Sequence, residues 1–151
     1  MMDPMDDLAQ FLRDRLDEDE QAARAWPDHQ QNWEARGPRH LSYASGSGES
    51  VTAVNVGGDG ALGWERIYVK RDPGDLAEHV ARHDPARVLA EVNAKRRLLD
   101  LHAPGTQEYV DGDVCMSCTL TGDGPYYPCT TLRLLALPYA NHPGYRDDWR
   151  P

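Results

Sequence analysis

One phenylalanine and three cysteines are all that this 151-residue chain holds of either kind. So few phenylalanines leave four tryptophans and seven tyrosines to supply the aromatic bulk of any core. Three cysteines, an odd number, are too few for a disulfide-framed secreted fold and fit a reduced setting, where clustered thiols more often hold metal. Cations are scarce as well, with 16 Lys and Arg against 25 Asp and Glu, a net charge of −9. The resulting pI near 5.0 argues against a general nucleic-acid coat, which needs clustered positive charge to displace counterions. No apolar run approaches the ~18 residues of a membrane-spanning helix, and the mean hydropathy is −0.71. The opening Met1-Met2-Asp3-Pro4-Met5-Asp6-Asp7 is acidic, whereas a secretory leader opens basic and turns apolar. A cytoplasmic location with no membrane partner is the expectation.

The acids that are present are unevenly placed. Residues 1 to 20 hold eight of them against Arg13 and Arg15. The same segment carries a helical stripe, Leu8, Phe11, Leu12 and Leu16, with Ala22, Ala23 and Trp26 beyond. This predicts a helix from about Asp6 to Ala25, stopped before Pro27, with its acids on the outer face. From 31 to 70 the pattern turns to strands. Val51-Thr52-Ala53-Val54-Asn55-Val56 alternates, and Trp64-Glu65-Arg66-Ile67-Tyr68-Val69 is rich in strand formers. The glycine-rich 57–63 between them suits a hairpin loop and lacks any nucleotide-binding spacing. An earlier strand is expected around Trp33 or over His40–Ala44, followed by a flexible Ser45-Gly46-Ser47-Gly48 connection.

A short helix is expected from near Asp75, with Leu76 and Val80 inward. Asp84-Pro85 then supplies a cap and a proline that needs no donor, starting a helix that runs to about His102. Val88, Leu89, Val92, Leu99 and either Ala94 or Leu98 should pack it, with Lys95-Arg96-Arg97 as a basic patch. His79 and His83 would share a helical face and are a lesser candidate metal pair; Asp84 beside them is better used as a cap.

The cysteines fall together as Cys115-x2-Cys118-x10-Cys129. The stretch 103–128 is rich in Gly, Pro and Asp and poor in core formers, so it has little apolar area to offset the entropy of ordering it. A tetrahedral Zn²⁺ needs four ligands, and a CxxC knuckle presents two thiolates from one turn. Cys129 precedes an expected helix from Thr130 to about Tyr139, capped by Thr130 or Thr131, with Leu132, Leu135 and Ala136 inward. The expected fourth ligand is His102, which closes the preceding helix before Ala103-Pro104-Gly105. His142 is the next candidate, and Asp113 and Asp123 are weaker ones. Unrelated buried thiols or a Cys115–Cys118 redox pair are the competing readings. The tail from 140 to 151 carries Tyr145 and Trp149, rings expected to strap it across the body.

The run His79-Val80-Ala81-Arg82-His83-Asp84-Pro85-Ala86-Arg87-Val88-Leu89-Ala90-Glu91-Val92, continuing Ala94-Lys95-Arg96-Arg97, resembles the hallmark helix of a domain-of-unknown-function family of small proteins from actinobacteria and their phages. Pro128-Cys129-Thr130-Thr131-Leu132-Arg133-Leu134-Leu135-Ala136-Leu137-Pro138-Tyr139, then His142-Pro143-Gly144-Tyr145 and Trp149, is similar to that family's C-terminus. So is the opening Leu8-Ala9-Gln10-Phe11-Leu12 to its beginning. The resemblance implies an accessory protein of bacterial or phage origin and no particular substrate.

Together these readings predict a single α+β domain over 1–151, with a structural zinc held by His102, Cys115, Cys118 and Cys129 and no catalytic residues. The expected function is a non-enzymatic interaction or regulatory protein. Its partner would be an unidentified protein or a second copy of the chain, met through the acidic helix or the aromatic tail. The alternatives are a nucleic-acid-linked regulator, either binding through Lys95-Arg96-Arg97 or mimicking DNA with its acids, and a small thiol- or metal-dependent hydrolase.

Overall fold

The protein is described by a computed structural model covering residues 7–40, 50–56, 66–70, 76–118 and 126–151. It is α+β, as the sequence predicts. In chain order it comprises α1 (Asp7–Arg24), β1 (Glu34–His40), β2 (Ser50–Asn55), β3 (Arg66–Lys70), α2 (Leu76–Arg82), α3 (Pro85–Leu101), β4 (Pro104–Gly105), β5 (Val114–Cys115) and α4 (Thr130–Ala136). The chain divides into two compact units, one of residues 1–19 and 91–151, the other of residues 20–90.

The second unit is built on an antiparallel sheet in the order β1-β2-β3. β1 lies between the two anchors the sequence offered, starting just after Trp33 and ending at His40. Its pairing with β2 shifts register between Arg36 and Arg39, at Gly37-Pro38, where proline has no amide to give the ladder. The expected hairpin loop at 57–63, the Ser45–Gly48 connection, and Leu41–Ala44 and Trp64-Glu65 of the expected strands lie outside the described residues. Val54, Val56 and Ala77 form the buried centre, with Trp26, Trp33, Ala35, Val80 and Ala81 packed on it. The Trp26 and Trp33 rings meet edge to face at 5.0 Å.

Asp84 organises the start of α3. Its Oδ1 accepts the Arg87 amide at 2.8 Å, as an N-cap does, and its Oδ2 accepts the Trp33 amide at 3.2 Å. One carboxylate thus ends β1's approach and begins a helix, and Pro85 sits at the first helical position as expected.

In the first unit, Leu8, Leu12 and Leu16 recur every four residues on α1 and are almost wholly buried. Val92 and Leu99 of α3 and Leu132 and Ala136 of α4 are buried too, while Leu98 is half-buried and Ala94 exposed; Val88 and Leu89, on the part of α3 in the second unit, are half-buried. α4 ends at Ala136, earlier than the expected Tyr139, and a 3-10 turn takes over at Leu137–Tyr139. Pro138 has no amide to continue the α-helical ladder, which explains the change. The tail closes around the single phenylalanine. Phe11 meets Tyr139, His142, Tyr145 and Trp149 at ring-centre distances of 6.3, 5.6, 6.1 and 5.1 Å, so the strap expected of the tail is present.

The acids of α1 are largely tied within their own unit. Arg96 donates to Asp17 at 2.5 Å, Tyr139 to Asp19 at 2.6 Å and Arg146 to Asp7 at 3.0 Å. Each exposed pair adds little stability, but together they offset charge that would otherwise stand unopposed on one helix.

Candidate metal centre

The end of α3, the knuckle after β5 and the start of α4 bring four side chains to one point. α3 carries the chain to His102, whose amide still bonds the Leu98 carbonyl at 3.0 Å, so the imidazole sits at the end of a rigid rod. Pro104 and Gly105 then pair with Cys115 and Val114 as the β4–β5 ladder. This small hairpin has no sequence signature, since two-residue strands are too short to alternate. Between its strands Gly112 takes a φ of 97°, a left-handed backbone that suits glycine. Val114 also bridges to Tyr126, and the Tyr127 amide bonds the Asp113 carbonyl at 3.0 Å.

The knuckle itself is a tight turn closed by the Cys118 amide on the Cys115 carbonyl at 3.2 Å. Ser117 donates its hydroxyl to the Leu101 carbonyl, joining the knuckle to the end of α3. Cys129 follows the cis Tyr127–Pro128 peptide and occupies the N-cap of α4, with extended backbone and no capping bond from its side chain. The cap was expected at Thr130 or Thr131; cysteine stands there instead, and its carbonyl accepts the Arg133 amide that opens the helix.

The result is a compact cluster. His102 Nδ1 lies 3.3 Å from Cys115 Sγ, 3.3 Å from Cys118 Sγ and 3.5 Å from Cys129 Sγ. All four donor atoms fall within 4.8 Å of one another. A single ring nitrogen has one hydrogen or one lone pair and cannot bond three sulfurs at once. Ligands about a shared ion do make such near-equal contacts. With Zn–S near 2.3 Å and Zn–N near 2.1 Å, a tetrahedral ion puts nitrogen and sulfur roughly 3.6 Å apart. The donor set, three soft thiols and an imidazole, suits Zn²⁺ in kind as well as spacing.

Electrostatics point the same way. Cys115 is fully buried and Cys129 nearly so. The Cys118 thiol is pushed up to about 11, chiefly by burial and then by the neighbouring Cys115 and Cys129 thiols. A divalent cation would reverse that by stabilising the thiolate.

The other candidates go elsewhere. His142 packs its ring on Phe11, takes the Gly144 amide on Nδ1 at 3.0 Å and meets Arg15 at Nε2. The Asp113 carboxylate is not among the converging donors, and Asp123 is outside the described residues. No disulfide joins Cys115 and Cys118, which are free. Of the basic patch, Arg96 is bonded to Asp17 and Lys95 lies 3.9 Å from Glu91. Among the described residues, no helix is long and apolar enough to cross a membrane. Sequence reasoning did not find Ser117 and Tyr127, which brace the cluster by donating to the main-chain carbonyls of Leu101 and Asp113, acceptors that leave no side-chain pattern to read.

No curated protein and no solved structure matches the chain. A family model does: the family of unknown function DUF6221 matches residues 5–151. The chain therefore belongs to that family, in agreement with the resemblance read from its motifs.

Proposed function

We propose that His102, Cys115, Cys118 and Cys129 hold one structural Zn²⁺, and that the protein is a non-enzymatic interaction or regulatory protein whose binding surface this ion keeps in shape. The observation that carries the reading is the convergence of four donor atoms within 4.8 Å. Four protein ligands fill a tetrahedron and leave no position for a substrate or an activated water. Zinc there supplies stability and no chemistry. It ties the end of α3, the β4–β5 hairpin and the start of α4 to one centre.

The surface so held is apolar. Leu101 next to the histidine, Met116 inside the knuckle and Tyr126 beside Val114 are all more than half exposed. Large exposed apolar side chains on the segments that the cluster joins are what a protein partner would cover. Purified protein should carry about one zinc per chain, and Cys129→Ser should abolish it. Proteins captured by the wild type and lost by Cys129→Ser would be the partners of the metal-held surface. A reduced, metal-free wild type with ordered residues 102–129 would refute the reading.

A further inference from the structure

His79 and His83 stand four residues apart at the end of α2, both exposed, with ring centres 4.4 Å apart and planes tilted by 42°. His83 Nδ1 lies 2.8 Å from the His79 carbonyl oxygen. A carbonyl can only accept, so Nδ1 carries a hydrogen, which leaves Nε2 as the nitrogen a metal could take. Backbone contacts of this kind orient the imidazoles of metal centres and set their tautomer. With metal–nitrogen bonds of about 2.1 Å, two imidazoles at right angles on one ion, as in the tetragonal sites of Ni²⁺ and Cu²⁺, have ring centres roughly 4.6 Å apart. The pair already has that spacing.

The neighbouring charged groups define the donor set. Glu78 is bonded to Arg82 at 3.0 Å, and both Asp84 oxygens accept backbone amides. A histidine–aspartate metal centre is therefore not built here, because its aspartate is engaged in capping α3. Two neutral nitrogens remain, with water to complete the shell. That set favours borderline ions such as Ni²⁺, Cu²⁺ and Zn²⁺ over Mg²⁺ or Ca²⁺. The last carbonyls of α2 add favourable negative potential, part of which the Arg87 guanidinium offsets by donating to the Arg82 carbonyl at 3.0 Å.

We propose that His79 and His83 form a second, exchangeable site for a borderline divalent transition metal, independent of the Cys115, Cys118, Cys129 and His102 centre. The test is calorimetric titration of the zinc-loaded full chain with Ni²⁺, with released zinc monitored by a colour indicator. One Ni²⁺ should bind without zinc release and broaden the ring proton signals of His79 and His83 before those of His29. His79→Ala and His83→Ala should each weaken binding at least tenfold while leaving zinc content and helicity unchanged. Absence of Ni²⁺ binding, displacement of zinc, or affinity within twofold of wild type in both variants would overturn the proposal.

Discussion

Two irregular parts of the same unit, the loop residues 103–118 and 126–129 and the tail from 137 to 151, are held by different means. The tail has rings to pack: Tyr139, His142, Tyr145 and Trp149 gather on Phe11, and Arg146 bonds Asp7 across the chain. The loop has tyrosines too, but Tyr109 is 91% exposed and Tyr126 61%. Among its described residues only Val114, Cys115, Tyr127 and Cys129 are buried. Two of those four belong to the thiol cluster, whereas in the tail Trp149 alone is buried, so the loop's burial centres on the thiols and the tail's order on ring contacts with Phe11. The difference teaches that one segment is held by rings gathered on a single phenylalanine, and the other by a convergence of thiols and an imidazole that could hold a metal ion.

The largest expected effect separates the two directly. Structural zinc contributes about 10–16 kcal/mol of apparent binding energy in small zinc domains. Chelation, or Cys129→Ser, should therefore release amides 102–118 to fast hydrogen exchange while those of 139–151 keep most of their protection. Lowering the pH should act like a chelator, since every coordinating sulfur must shed a proton and acid restores it. Equal loss in both segments would dissolve the contrast. The mirror experiment is Trp149→Ala. Truncating this buried ring should cost about 3–5 kcal/mol and free the tail, with zinc content unchanged.

The smallest effect probes the tail's polar anchor. Tyr139→Phe removes the hydroxyl that donates to Asp19 and should cost about 1 kcal/mol in thermal or urea unfolding. In the folded protein the Tyr139 pKa is raised above its ordinary 10.0, chiefly by burial and then by Asp19. A raised pKa means the contribution is full below about pH 10 and is lost as the phenol ionises above it. Tyr139→Phe should accordingly lose less stability than wild type between neutral and strongly alkaline pH. Identical alkaline profiles would remove Tyr139 from the account.

The helices were the most legible parts of the chain. Leu8, Leu12 and Leu16 announce α1 because a four-residue repeat follows the helical turn. Asp84-Pro85 announces α3 because capping is local chemistry between neighbours. The cysteine spacing and the histidine before Ala103-Pro104-Gly105 were enough to name the four side chains that the fold brings together. Other features were hidden for definite reasons. β1 had two possible anchors because Arg36-Gly37-Pro38-Arg39 shows no alternation. β4 and β5 are too short for any period, and their order comes from partners distant in sequence. The cap at Cys129 was missed because threonine is the better cap by propensity, whereas Cys129 holds the position with no capping bond from its side chain.

X-ray absorption at the zinc edge tests the central claim most directly, because it reads the ligand shell without depending on stability. On the purified, reduced protein the account predicts a four-coordinate ion with three sulfurs near 2.3 Å and one nitrogen near 2.1 Å. A shell of oxygen and nitrogen alone would contradict it, as would a protein that folds with three free thiols and binds no zinc at all.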